Sequence, residues 1–171
     1  SVAYGNLTML EQGYSINLRP LAMFAEKACA QSDAFSLRLL PGNELSDDDI
    51  VLQSKIYKAL SVMLFKLEGQ LYRRHPEYGM DDRLLLDKID WRAGTVSIGG
   101  RVYPMGDRDL PTVDPADPYA LSPEEAQIIA ELRESFLRSQ RLQKHIRFLY
   151  SSGSMYLICN QNLMFHGCVP M

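Results

Sequence analysis

A chain of 171 residues, 46% of them hydrophobic and 23% charged, is long enough for one packed core and too ordinary in composition for disorder, collagen-like repeats or a coiled-coil rod. With 18 Lys and Arg against 21 Asp and Glu, a net charge of −3 and no dense basic run, a nucleic-acid backbone is excluded as the main partner. No apolar run reaches the roughly 18 residues needed to cross a bilayer. Cys29, Cys159 and Cys168, an odd set at wide spacing, fit reduced thiols better than a disulfide framework, so a cytoplasmic protein is expected.

Residues 1–18 mix Gly5, Gly13 and polar side chains and read as an irregular or partly extended lead-in. A short helix is predicted from Pro20 to about Gln31, with Leu21, Phe24, Ala25 and Ala28 on one face. The cluster Pro41-Gly42-Asn43 should break the chain. Ser46 then caps a long helix whose first turn carries Asp47, Asp48 and Asp49. Its apolar stripe is expected at Leu52, Ile56, Leu60, Met63, Leu64, Leu67 and Leu71, as far as His75-Pro76. Helical turns are predicted across Met80–Trp91. Thr95–Ile98 and Arg101–Pro104 alternate around Gly99-Gly100 as a β-hairpin.

Pro111, Pro115 and Pro118 make Asp107–Tyr119 an extended connection and a candidate linker. Ser122-Pro123-Glu124-Glu125 starts another helix, with Ile128, Ile129, Leu132, Phe136 and Leu137 expected inside. A second helix through Leu142, Ile146, Leu149 and Tyr150 should end at a left-handed Gly153. Ser154–Cys159 and Leu163–His166 flank Asn160-Gln161-Asn162 as a closing hairpin. The chain opens on Ser1 instead of Met and stops at Met171 soon after this hairpin, which suggests a piece of a longer polypeptide.

Chemistry is concentrated at the end of the sequence. A strand end followed by Gly167 would put the His166 imidazole at the rim of a sheet, with backbone opened for a metal or ligand; the alternative is an ordinary edge histidine. Arg73 and Arg74 could grip a substrate phosphate as guanidinium forks, or simply complement a helix C-terminus. His145, among Arg141, Lys144 and Arg147, could protonate a leaving group or position phosphate; the alternative is a solvated basic face. Gly106-Asp107-Arg108-Asp109 has the wrong spacing for metal and reads as a solvated turn. Asp81, Asp82, Asp87 and Asp90 lack loop-ligand spacing and read as charged surface. Cys168 suits packing beside His166, and Met63, Met80 and Met155 read as core filler.

Several runs in order carry a resemblance: Leu67-Glu68-Gly69-Gln70, Met80–Asp90, Pro111-Thr112-Val113-Asp114-Pro115, Asp117-Pro118-Tyr119, Phe148-Leu149-Tyr150 with Gly153-Ser154-Met155-Tyr156, and Asn162–Cys168. Almost the whole chain resembles the central part of bacterial class III fructose-1,6-bisphosphatases, and its His-Gly tail resembles a motif of the wider calcineurin-like metallophosphatases. The resemblance implies an α/β fold class: a fragment of a calcineurin-like sandwich with a large helical insertion and small β-hairpins. Residues 1–120 would be the mainly helical insertion, with a hairpin near 95–105, and 121–171 a helix-helix-hairpin segment returning to an incomplete catalytic core.

The implied activity is removal of the 1-phosphate of fructose 1,6-bisphosphate in gluconeogenesis by two Mn²⁺ ions, with His166 as one ligand. Such a pair, about 3.5–4 Å apart, binds the phosphate and lowers the pKa of a bridging water. The Asp-x-His, Gly-Asp-x-x-Asp-Arg and Asn-His runs that supply most ligands are absent from these 171 residues, so an incomplete site is expected. The implied partner is a sugar bisphosphate, without nucleic acid or membrane, and a homo-oligomer stays open. Two alternatives remain: a metallohydrolase acting on phosphoproteins, and a helical interaction module without chemistry.

Overall fold

A computed structural model describes residues 2–39, 42, 44–165 and 167. Among these residues, four α-helices, α1 (Arg19–Ala28), α2 (Asp47–Arg74), α3 (Pro123–Arg138) and α4 (Gln140–Ser152), carry two small antiparallel sheets. The first sheet has the order β1 (Ile89–Asp90), β2 (Thr95–Ile98) and β3 (Arg101–Pro104); the second pairs β4 (Tyr156–Cys159) with β5 (Asn162–Phe165). The architecture is thus mixed, helices with short antiparallel strands. No described helix is long and apolar enough to cross a membrane.

The helix starts follow from local hydrogen bonds. The Ser46 hydroxyl accepts from the Asp49 amide at the head of α2. Ser122 and Glu125 close a full capping box on α3, with Pro123 inside the first turn. The Gly99-Gly100 turn has φ of 56° and 76°, the left-handed pair that a two-residue hairpin demands, and it sets the register Val96↔Tyr103. At the second hairpin the same conformation is adopted by Asn160 and Gln161, which moves the start of β5 to Asn162. The sequence reading missed β1, because two residues are too few to show a period.

The lead-in is not extended. Val2–Tyr4 forms a 3₁₀ turn and Met9–Gly13 a π-helical turn, and Leu7, Ile16 and Leu18 from this stretch enter the core. They pack with Leu21, Phe24, Ala25 and Cys29, with Ile56, Ala59 and Met63 of α2, and with Ile128 of α3. The core therefore draws on both sides of residue 120.

The buried face of α2 is rotated from the predicted stripe. Ile56 and Met63 are inside as expected, but Leu64 is 53% exposed and Leu71 is also exposed. Lys58, Val62, Lys66 and Gly69 take the inner row instead. In α3, Ile128 is buried while Phe136 and Leu137 are exposed, and Glu125 is inside. Leu149 and Tyr150 of α4 are likewise exposed, as are Met80 and Met155, so these methionines are not core filler; Met63 is. Gly153 ends α4 at φ −77°, not in the left-handed conformation. Pro41 and Asn43 of the expected break lie outside the described residues; Gly42 between them forms a turn.

Candidate functional site

Two buried lysines organise the polar interior. Lys66 Nζ, fully enclosed in α2, donates to Glu125 Oε2 at 2.7 Å and to the Thr112 carbonyl oxygen at 2.7 Å. Glu125 also accepts from the Thr112 hydroxyl and from the Ser122 amide, so one carboxylate joins the cap of α3 to the proline-rich connection. Thr112 is held at φ 69°, a conformation that a β-branched residue adopts only when its surroundings impose it.

Lys58 lies two turns earlier on the same face, 2.9 Å from Asp107 and 3.1 Å from Asp109. The Gly106–Asp109 run is therefore an anchor for a buried cation, neither the solvated turn of the sequence reading nor a metal loop. Burial pulls the Lys58 ammonium down, but its hydrogen bonds to the two aspartates and their negative charge outweigh it and hold the group above the usual lysine range. Burial pushes Asp107 up, and Lys58, the Ser32 hydroxyl and the Asp109 amide outweigh that, holding it below the usual carboxylate range. The neighbouring Cys29 thiol is pushed up, chiefly by burial.

These shifts fix a pH dependence. Asp107, lowered on folding, contributes stability that is full above the ordinary carboxylate value of 3.8 and lost as pH falls through its own lower value. Lys58, raised on folding, contributes stability that is full below the ordinary lysine value of 10.5 and lost as pH rises through its own higher value. Urea midpoints measured down to strongly acidic pH should fall more steeply for the parent than for Asp107→Asn; superimposable acid limbs would contradict the coupling.

Tyr119 is the second hub, buried beneath Gly69, and its hydroxyl accepts from the Leu86 amide at 3.1 Å. Burial pushes its phenol up. The Arg73 guanidinium sits 4.3 Å from its ring centroid and pairs with Asp87 at 2.8 Å and, more loosely, with Asp117 at 3.7 Å. Arg73 is thus satisfied by the protein, whereas Arg74 is exposed beside it along a shallow recess also lined by Gln70 and Ala120. Asp90 folds its own turn, accepting from the Arg92 and Ala93 amides, and Lys88 donates to the carbonyls of Asp81 and Asp82.

His145 stands apart from these residues. Its Nδ1 is 3.1 Å from the Tyr14 hydroxyl, and the two rings meet edge to face at 5.7 Å. A cleft of about 1030 Å³ opens nearby, lined by Gln12, Ser15, Gln127, Glu131, Arg138 and Arg141 among others. His166 and Cys168, the expected ligand and its neighbour, lie outside the described residues. Among the described residues, no three His, Cys, Asp or Glu side chains converge on a point that could hold a metal ion, so these side chains do not by themselves fit a metal pair.

Sequence reading missed Lys58, Lys66, Tyr14 and Tyr119. The helical spacing of Lys58, Val62, Lys66 and Gly69 puts them on one face, but two lysines on a face carry no mark of burial.

A sequence model of the Firmicute fructose-1,6-bisphosphatase family matches residues 1–171. The chain is 47% identical over 174 residues to the class 3 fructose-1,6-bisphosphatase of Clostridium novyi (strain NT) and 48% over 173 residues to that of Clostridium tetani (strain Massachusetts / E88), covering all of this chain in both cases. It is 46% identical to that of Alkaliphilus metalliredigens (strain QYMF), across 98% of this chain. The chain spans 26% of the length of each of these relatives. No solved structure matches it. With a match that runs from the first residue to the last and relatives at nearly half identity, the chain belongs to the Firmicute fructose-1,6-bisphosphatase family.

Proposed function

We propose that the full-length protein carrying this segment hydrolyses the 1-phosphate of fructose 1,6-bisphosphate, giving fructose 6-phosphate and phosphate, in the cytoplasm and with Mn²⁺ as its metal. The observation that carries this reading is the family match over all 171 residues, together with relatives named for that activity. His166 is the one metal ligand proposed within the chain; the rest of a metal pair needs side chains beyond the described residues.

The same reading makes residues 121–171 part of a calcineurin-like sandwich and residues 1–120 a helical insertion. The second hairpin supports it. Tyr156, Ile158, Leu163 and Phe165 share one face, Leu157 and Met164 the other, and all are exposed. Strands apolar on both faces are the kind that layered α/β sheets bury on both sides.

The test is phosphate release from fructose 1,6-bisphosphate by the full-length protein with Mn²⁺ added, beside its His166→Ala variant. Release by the parent and a loss of about 100-fold or more in the variant are expected, because removing a ligand disables the metal that polarises the phosphate. A parent inactive on the sugar bisphosphate yet active on phosphopeptides would replace this reading with a phosphoprotein phosphatase. A parent inactive on both and without Mn²⁺ uptake would leave an interaction module. An unaffected variant would remove His166 from the site.

A further inference from the structure

We propose that the outer face of α2 is a self-association surface, on which Leu60, Leu64, Leu67 and Leu71 pair antiparallel, about a two-fold axis, with the same leucines of a second copy of this chain.

The helix is apolar on two opposite sides. Its core-facing row includes Ile56, Val62, Met63 and Tyr72, all buried. At 3.6 residues per turn, Leu64 and Leu71 stand about half a turn around the helix from Val62. Leu64 is 53% and Leu71 39% exposed; Leu60 and Leu67, on the same side, are half-buried, with Leu60 resting against the edge of the core. Steps of four, three and four residues are the spacing at which one helix receives another, the leucines of each lying between those of its neighbour. One apolar stripe suffices to join a core, so the second leaves leucine surface that association would remove from water.

Charge decides the direction of pairing. α2 opens with Asp47, Asp48 and Asp49 and closes with Arg73 and Arg74. Parallel copies would set the acidic turns side by side and align two helix dipoles head to head; antiparallel copies keep like ends apart. Arg74 then selects the register. With Leu64 against the partner's Leu67 and Leu60 against the partner's Leu71, each pair occurs twice across the axis, and Arg74 falls beside the partner's Tyr57. The Arg74 guanidinium makes no hydrogen bond or ion pair among the described residues. Tyr57, half-buried and edge to face with Phe35, supplies it with a ring. Shifting the copies to place Leu64 against the partner's Leu60 would instead oppose Leu71 to Gln53 and Arg74 to Ile50. The favoured register pairs Tyr57 through Arg74, about 27 Å of helix.

Sedimentation of the full-length protein at micromolar concentrations tests the surface. Leu64→Glu puts a charge into the seam twice, so a parent dimer, or an even-numbered assembly built from such dimers, should split in half, its dissociation constant rising about 100-fold or more. Leu64 is exposed in the single copy, so this variant should keep the parent's circular dichroism. Arg74→Ala, a gentler change, should raise the dissociation constant about tenfold through two lost ring contacts. Register is read by mixing. Leu64→Glu and Leu67→Lys chains, each dissociated alone, should re-form a mixed dimer, whereas Leu64→Glu with Leu60→Lys should not.

A monomeric parent, with Leu64→Glu lowering only its thermal midpoint, would show that the stripe is covered within one polypeptide and would overturn the proposal. So would an oligomer whose mass Leu64→Glu leaves unchanged. Recovery with Leu60→Lys in place of Leu67→Lys would overturn the register. None of these readouts depends on catalysis.

Discussion

Glu125→Ala is expected to lower stability by about 3–5 kcal/mol, because it leaves the Lys66 ammonium enclosed without its counter-ion. Lys66 and Glu125 are 0% and 1% exposed, so water cannot reach either charge to replace the 2.7 Å contact. The damage should extend beyond the pair. Glu125 is also the third-position glutamate of the α3 capping box and the acceptor for the Thr112 hydroxyl, so one substitution loosens a helix start and the left-handed Thr112 backbone together. Urea denaturation of the full-length protein, following the transition of this segment by hydrogen exchange, measures the loss. Replacing both partners with apolar residues, Lys66→Met with Glu125→Leu, should recover most of the packing contribution while leaving the cap broken. A single variant with an unchanged midpoint would show that water or another group reaches Lys66.

Gly69→Ala should cost about 3 kcal/mol, at the upper end of what overpacking exacts. A Cβ at this position would stand 2.0 Å from Tyr119 Cδ1, far inside any permitted contact. The ring has no room to yield, since its hydroxyl is held by the Leu86 amide, its backbone carbonyl accepts from Gln70 at 2.7 Å, and Arg73 stacks upon it. Gly69 is helical, so the argument concerns space and not conformation. Gly106→Ala is the matched control: its nearest neighbour would be the Ala34 Cβ at 3.6 Å, an ordinary contact, and stability should hardly change. Equal midpoints for the two variants would mean that the chain between Leu86 and Tyr119 shifts to accommodate the methyl.

The parts of the fold visible in the sequence are those decided by neighbours in the chain. Ser46 and Ser122 close hydrogen bonds three residues away, and Gly99-Gly100 sets its own turn, so helix starts and the first hairpin could be read directly. The face that a helix buries depends on distant partners. Lys58 and Lys66 went unnoticed because nothing near them reveals that Asp107, Asp109 and Glu125 await them 49 or more residues later. Their presence inside turns Leu64 and Leu71 outward. The lead-in misled for a related reason: its glycines suggested a loop, while Leu7, Ile16 and Leu18 found their core in α1, α2 and α3. Of the site, His145 and Arg73 were noticed as candidates for phosphate chemistry, but Tyr14 and Tyr119, which contact them, carry no local mark.

The hairpin of β4 and β5 makes timing a part of folding. Apolar on both faces and unpaired at both edges among the described residues, it will accept whichever strand arrives first. A ribosome delivers about 5–20 residues each second, so the exposed edges stay open to strands of nearby nascent copies for as long as synthesis leaves them uncovered. Yield should then depend on how crowded synthesis is, and slower initiation or a chaperone that shields this hairpin becomes as important to obtaining the protein as any stabilising substitution in its core.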